Sequence, residues 1–361
     1  MILVTRTHIT PAELDGIREF MEARGLRTHV STGVDRTVIG CIGDVGGIDE
    51  GAVRALSGVD SVHRVRKPYR LASREFVASR TTIALGDAAG TIIGGREIVI
   101  AAGPCSVEGR AMLMETAEGV RAAGAAVLRG GAFKPRTSPY AFQGLGEEGL
   151  DLLAEARART GMPIVSEVMD PRQVEMMAER VDILQIGARN MQNYALLAEV
   201  GRVRRPVLLK RGLSATISEL LQAAEHIMAQ GNRQVMLCER GIRTFETATR
   251  NTFDVAAVPV LKAETHLPVI VDPSHAAGRA DLVAPLAFAA IAAGADGLII
   301  EVHPRPAEAQ SDGDQSLTID AFASMMRALA PFAAAAGRTL GEPVAPASIG
   351  AEASAQPAWV A

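Results

Sequence analysis

The apolar positions of the chain change period as it is read from the amino terminus. Residues 2–5 form a short apolar run suited to a strand. Residues 11–24 place Leu14, Ile17 and Met21 on one face at helical spacing, with Gly25 just past the end. Two short strands follow at 27–31 and 37–42, joined by a turn containing Gly33. Residues 48–56 read as a second helix and 61–65 as a last strand. The order βαββαβ predicts a ferredoxin-like domain over residues 1–66. Residues 67–95 read as a linker with short strands at 81–85 and 91–93, interrupted by glycines.

Beyond residue 95 the pattern becomes regular. Apolar runs recur at 98–102, 126–128, 163–165, 183–186, 207–209, 235–237, 269–271 and 298–300, with helical segments between most of them. Thr216-Ile217-Ser218-Glu219 is a capping box, followed by Leu220, Leu221, Ala224, Ile227 and Met228 at helical spacing. Asp170-Pro171 starts another helix, with proline at its first position. Strands alternating with helices in this rhythm predict an α/β chain with a (β/α)8 barrel over residues 96–337. A doubly wound open sheet would need a glycine-rich phosphate loop after its first strand, and this sequence has none there. Residues 338–361 are rich in Ala and Pro without periodicity and read as a flexible tail.

Composition narrows the function. Of 361 residues, 37 are Lys or Arg and 41 are Asp or Glu, a net charge of −4, so no overall basic field draws in nucleic acid or anionic membranes. Aromatic residues are only 4%, too few for a surface that stacks on bases. Three scattered cysteines do not make a disulfide framework. No signal-peptide pattern opens the chain, and no apolar run reaches the roughly 18 residues a membrane span needs. The expectation is a reduced, cytoplasmic location.

The polar residues that follow the apolar runs are the chemical signal. After the eight runs come Cys105, then Arg129 with Lys134, Glu167, Arg189, Lys210, Glu239-Arg240, Asp272 with His275, and Glu301 with His303. Charged residues at 22% of the chain would supply some of these by chance but not all eight, and barrel enzymes build their sites at the carboxyl ends of the strands. Two sets emerge. Cys105, His275 and Glu301, joined by Asp312, are metal-ligand types whose mixed S, N and O character suits a divalent transition ion better than Mg²⁺ or Ca²⁺. Cys105 lies in the loop motif Gly103-Pro104-Cys105-Ser106, whereas Cys41 and Cys238 fall inside strand-like runs and read as core residues. His303 shares a strand face with Glu301 and reads equally as a supporting or a structural residue. The second set, Arg129, Lys134, Arg136, Arg189, Lys210 and Arg240, would repel itself unless anions bind among its members. The substrates implied carry several negative charges beside a metal.

Ala102-Gly103-Pro104-Cys105-Ser106, the run from Leu128-Arg129-Gly130-Gly131 to Lys134-Pro135-Arg136-Thr137-Ser138-Pro139, Ile186-Gly187-Ala188-Arg189-Asn190 and Asp272-Pro273-Ser274-His275 closely resemble the 3-deoxy-D-arabino-heptulosonate 7-phosphate (DAHP) synthase family. Arg36-Thr37-Val38-Ile39-Gly40 and Lys67-Pro68-Tyr69 resemble the subgroup with a ferredoxin-like regulatory domain. The resemblance covers the chain to about residue 337 and implies the reaction of phosphoenolpyruvate with erythrose 4-phosphate and water to DAHP and phosphate, the opening step of the shikimate route to aromatic amino acids.

The same resemblance implies residue roles. Cys105, His275, Glu301 and Asp312 match the ligands of one divalent ion (Mn, Fe, Co or Zn). Arg129, Lys134, Arg189, Lys210 and Arg240 match the phosphoenolpyruvate site, with Glu167 lining it, and Arg136 and Thr137 match the erythrose 4-phosphate phosphate site. Lys134, Glu167 and His275 are the catalytic candidates. The octulosonate 8-phosphate synthases use a similar barrel but read Lys-Ala-Asn-Arg-Ser where this chain has Lys134-Pro135-Arg136-Thr137-Ser138, and they generally lack the amino-terminal module. The subgroup also implies a homo-oligomer, usually a tetramer, and an aromatic amino acid effector. His29 and Ser31 share a face of one strand and are candidates to contact that effector, or are solvent-facing strand residues.

Overall fold

The computed structural model of the chain describes residues 1–64, 68–85, 90–134, 138 and 140–341. The small domain runs β1 (Ile2–Thr5), α1 (Pro11–Glu22), β2 (Arg27–Thr32), β3 (Thr37–Ile42), α2 (Glu50–Arg54) and β4 (Val59–His63). Its sheet order is β2-β3-β1-β4 with antiparallel pairing throughout, the ferredoxin-like arrangement expected. Thr10 caps α1 and Glu13 reciprocates, a complete capping box. The helix ends at Glu22, two residues before the apolar period does, as the chain turns into Gly25 at φ 76°. The second helix is also shorter than its period suggests, because Asp49 caps it late and turns close it at Leu56 and Val59. One sheet face buries Leu3, Ile39 and Cys41 against Ile17, Met21 and Val53.

The barrel strands are preceded by a hairpin, β5 (Ile83–Leu85) and β6 (Thr91–Ile93). They follow as β7 (Glu97–Gly103), β8 (Val127–Arg129), β9 (Ile164–Glu167), β10 (Ile183–Ile186), β11 (Val207–Lys210), β12 (Val235–Glu239), β13 (Val269–Val271) and β14 (Gly297–Glu301). All neighbours are parallel, and β14 pairs with β7 to close the ring. Between the strands lie α3 (Arg110–Ala122), α4 (Glu147–Thr160), α5 (Val174–Arg180), α6 (Tyr194–Arg202), α7 (Ile217–Ala229), α8 (Ala257–Glu264), α9 (Pro273–Ala277), α10 (Ala280–Ala292) and α11 (Ile319–Ala335). Five strands end on a polar residue, namely Arg129, Glu167, Lys210, Glu239 and Glu301, so the strand itself sets where each of these side chains starts.

The interior of the ring is a packed layer of Val99, Val127, Val165, Ile183, Leu208, Met236, Ile270 and Ile299. Ile83, Leu85 and Ile93 of the hairpin belong to the same cluster, so the segment expected as a linker closes the floor of the barrel. The boundary expected at 337 moves outward. Thr339–Leu340 pairs in parallel with Glu97 and Ile98, and Arg338 donates to the carbonyls of Gly95, Arg96 and Glu97. Residues 342–361 of the expected tail lie outside the described residues.

The second face of the small domain meets the barrel. Phe76 packs so closely on Gly40 that a Cβ there would stand 2.0 Å from its ring, which only glycine permits. Arg70 donates to the carbonyl of Cys41 at 2.9 Å.

Candidate active site

The carboxyl ends of the strands surround one cavity. It is lined by Arg129, Lys134, Glu167, Gln185, Arg189, Lys210, Arg240, Arg243, Arg250, Asn251, His275 and Asp312, with Gly187, Ala188 and Leu213 completing the wall. Seven of these side chains are cationic. The sequence-predicted residues Arg129, Lys134, Glu167, Arg189, Lys210, Arg240, His275 and Asp312 are thus brought to one place. Arg136 and Thr137 lie outside the described residues.

The deepest cations are tied to buried carboxylates. Arg129 Nη1 donates to Glu301 Oε1 at 2.6 Å and to the Pro104 carbonyl at 3.2 Å. Burial works against this guanidinium, but Glu301 and Cys105 more than offset it, and its pKa lies above the ordinary arginine value. Lys210 Nζ contacts Asp272 Oδ2 at 2.5 Å. Burial disfavours the Asp272 carboxylate as well, yet His275 and Lys210 hold it well below the usual range. Arg240 is buried, which pulls its pKa down, and its Nη1 makes a long contact to the Gly241 carbonyl at 3.5 Å.

The metal-type residues lie together, with His275 and Asp312 on the cavity lining and Cys105 and Glu301 buried. Cys105, Glu301 and Asp312 each present a ligand atom, and all three atoms lie within 4.8 Å of one another. Cys105 Sγ donates to Asp312 Oδ2 at 3.1 Å, and Lys134 Nζ donates to both Sγ and the carbonyl of Cys105 at 3.0 Å. Burial pushes the Cys105 thiol up to about 12. His275, the fourth expected ligand, stands beside the trio with Nε2 3.6 Å from Glu301 Oε1. Burial lowers its pKa, favouring the neutral imidazole that a metal requires. Its Nδ1 is 2.8 Å from Asp272 Oδ2, although that contact is too poorly aligned to count as a hydrogen bond. The donor set therefore fits a divalent transition ion: thiol, carboxylates and imidazole converge.

His303 does not join this set. Its Nδ1 accepts from the Arg305 N–H at 3.1 Å, and it faces Glu108. His29 lies far from the cavity, with its ring 5.2 Å from Phe76 and its Nδ1 3.2 Å from Arg233 Nη2. Ser31 is partly exposed on the same strand.

Sequence reading missed Arg243, Arg250 and Asn251. All three sit on the segment between β12 and α8, and Arg250 donates to Asp312 Oδ1 at 2.9 Å and Gln315 Oε1 at 2.8 Å. The available signal was the length of that segment, since long loops at this barrel face are functional by default.

A closed eight-stranded barrel with a cationic cavity and a mixed-ligand cluster at its carboxyl rim defines a (β/α)8 enzyme. The chain belongs to the DAHP synthetase I family, whose model matches residues 76–333, and a DAHP synthase ferredoxin-like domain matches residues 1–67. It is 51% identical over 337 residues to the phospho-2-dehydro-3-deoxyheptonate aldolase of Thermotoga maritima, covering 93% of this chain and 99% of that protein. The crystal structure of the Thermotoga maritima DAHP synthase superposes with a TM-score of 0.74 at 50% identity, covering 94% of this chain and 98% of that one. The 2-dehydro-3-deoxyphosphooctonate aldolase of Syntrophotalea carbinolica is 35% identical over 248 residues, 64% of this chain and 88% of that protein. The expected family, fold and enzyme class, 3-deoxy-7-phosphoheptulonate synthase, stand. No helix among the described residues is long and apolar enough to cross a membrane.

Proposed function

We propose that the chain condenses phosphoenolpyruvate with erythrose 4-phosphate and water, releasing DAHP and phosphate. The observation that carries this reading is the convergence of seven cations on a cavity that reaches Asp312, one member of the Cys105–Glu301–Asp312 cluster. Two phosphates and a carboxylate need several fixed cations, and an aldehyde needs a Lewis acid beside them. C3 of phosphoenolpyruvate bonds to the aldehyde carbon of the sugar, the aldehyde oxygen takes a proton, water adds at C2, and C–O cleavage releases phosphate.

In this reading Cys105, His275, Glu301 and Asp312 hold one divalent ion, which when bound polarises the aldehyde. Arg129, Lys134, Arg189, Lys210 and Arg240 hold phosphoenolpyruvate, and Arg136 and Thr137 the sugar phosphate. Lys134 and Glu167 are the side chains proposed to move the protons of the aldehyde oxygen and the added water. The small domain is assigned to feedback control by an aromatic amino acid.

Chelation tests the metal part. A chelator should abolish phosphoenolpyruvate consumption, and Mn²⁺ or a similar ion should restore it. Cys105→Ala should lose most activity while the protein stays folded by circular dichroism. Full turnover in metal-free protein would overturn the assignment.

A further inference from the structure

The metal-type cluster is assembled from two loops that are distant in sequence. Cys105 sits between β7 and α3, and Asp312 between β14 and α11. Asp312 has φ 51°, a left-handed conformation that is uncommon outside glycine, so something must hold its loop in place.

Glu108 links the two loops. Its Oε1 accepts from Ser106 Oγ at 3.1 Å on the Cys105 side and from the Gln310 N–H at 3.0 Å on the Asp312 side. Its Oε2 lies 3.4 Å from His303 Nε2, a close polar contact that is not aligned as a hydrogen bond. The Arg305 N–H occupies His303 Nδ1, so the ring carries its proton on Nε2, facing Glu108. His303 is 4% exposed and the Glu108 side chain 9%. Neither residue lines the cavity.

We propose that Glu108, with His303 packed beside it, is a clasp that fixes the Asp312 loop against the Cys105 loop and so presets the separation of two metal ligands. It is a positioning residue, and the inference rests on reading Cys105, Glu301 and Asp312 as a metal site. Without the clasp, the Gln310 N–H loses its partner. Among the described residues, the Asp312 loop is then held to the Cys105 loop only by the contacts of Cys105 Sγ with Ser311 and Asp312, which an ion bound to the thiolate would replace. Removing such a supporting partner costs about 10- to 100-fold in metal affinity.

The test is a cobalt titration of the full-length protein. Cobalt bound to the Cys105 thiolate is followed by its ligand-to-metal absorption, with affinity set by a competing chelator. Glu108→Ala should weaken cobalt binding about 10- to 100-fold. It should keep the wild-type kcat and the wild-type KM for phosphoenolpyruvate once cobalt is saturating. Glu108→Gln retains an oxygen that accepts from Ser106 and Gln310, and should fall between wild type and Glu108→Ala. His303→Ala should shift affinity in the same direction. If Glu108→Ala does not fold, the other two variants decide. Unchanged cobalt affinity in the folded variants, whatever their urea midpoints, overturns the clasp and leaves the metal site standing. A wild-type protein with no cobalt–thiolate absorption overturns both.

Discussion

Cations on the rim divide by what already holds them. Arg129 and Lys210 are locked to Glu301 and Asp272, with side chains 5% exposed or less. Arg189 and Arg243 line the same cavity with no ion-pair partner among the described residues. The two kinds should respond differently to removal. Arg129→Ala leaves Glu301 buried without its partner, and breaking a buried pair costs about 3–5 kcal/mol, readable as a lower urea midpoint. Arg189→Ala should change stability by less than about 0.5 kcal/mol, as surface substitutions usually do. It should instead raise KM for phosphoenolpyruvate, because a lost charged phosphate contact is worth about 1.5–3 kcal/mol, roughly ten- to a hundredfold. Arg136→Ala should show the opposite bias, raising KM for erythrose 4-phosphate. Equal effects of the two substitutions on both substrates would refute that division.

At the scale of elements, α1 shows how one side chain can stitch a domain. Glu13 accepts from the Thr10 N–H and hydroxyl and also from Ser57 Oγ at 2.7 Å, joining the helix start to the turn before β4. The Thr10 backbone contact, then the Ser57 and Thr10 hydroxyls, hold its carboxyl down to about 2. A carboxyl lowered on folding stabilises above its unfolded value near 4.5, and that contribution is lost as pH falls through about 2. Glu13→Gln should therefore lower the melting temperature of the small domain at pH 7, with the gap to wild type closing as the buffer is acidified from pH 4.5 toward 2. A gap independent of pH would place the effect elsewhere.

Elements with strong periodic signals were legible in the sequence. The Thr216 capping box is complete in the structure, and all eight barrel strands fall on the expected runs. Strand ends also exposed most of the cavity, because a parallel barrel puts its chemistry where each run stops. Contacts between loops were not legible. Arg250 meets Asp312, and Glu108 meets Gln310, across long sequence separations that no local period encodes. The hairpin under the barrel looked like a linker because three-residue strands carry too little pattern to reveal which core they complete.

On the scale of the whole molecule, the small domain sits on the barrel through Phe76, Gly40, Arg70 and the pair His29–Arg233. Burial, then the Arg233 charge, pulls the His29 pKa down, so this contact favours a neutral ring. No described residue of the small domain, 1–64, lines the cavity. Deleting residues 1–66 should leave an active enzyme that tyrosine and phenylalanine no longer inhibit. An effector can act only by binding one arrangement of the domains better than another, and deletion removes that choice. Equal inhibition of full-length and truncated protein would contradict a regulatory role for the small domain.

In the proposed function this cavity joins phosphoenolpyruvate to a four-carbon sugar phosphate. The most direct measurement follows phosphoenolpyruvate consumption and phosphate release by the metal-loaded, full-length protein, with erythrose 4-phosphate in one reaction and arabinose 5-phosphate in another. Rapid consumption is expected with erythrose 4-phosphate, with one phosphate released for each phosphoenolpyruvate, and little or none with arabinose 5-phosphate. Preference for the five-carbon sugar, or no consumption with either, would contradict it.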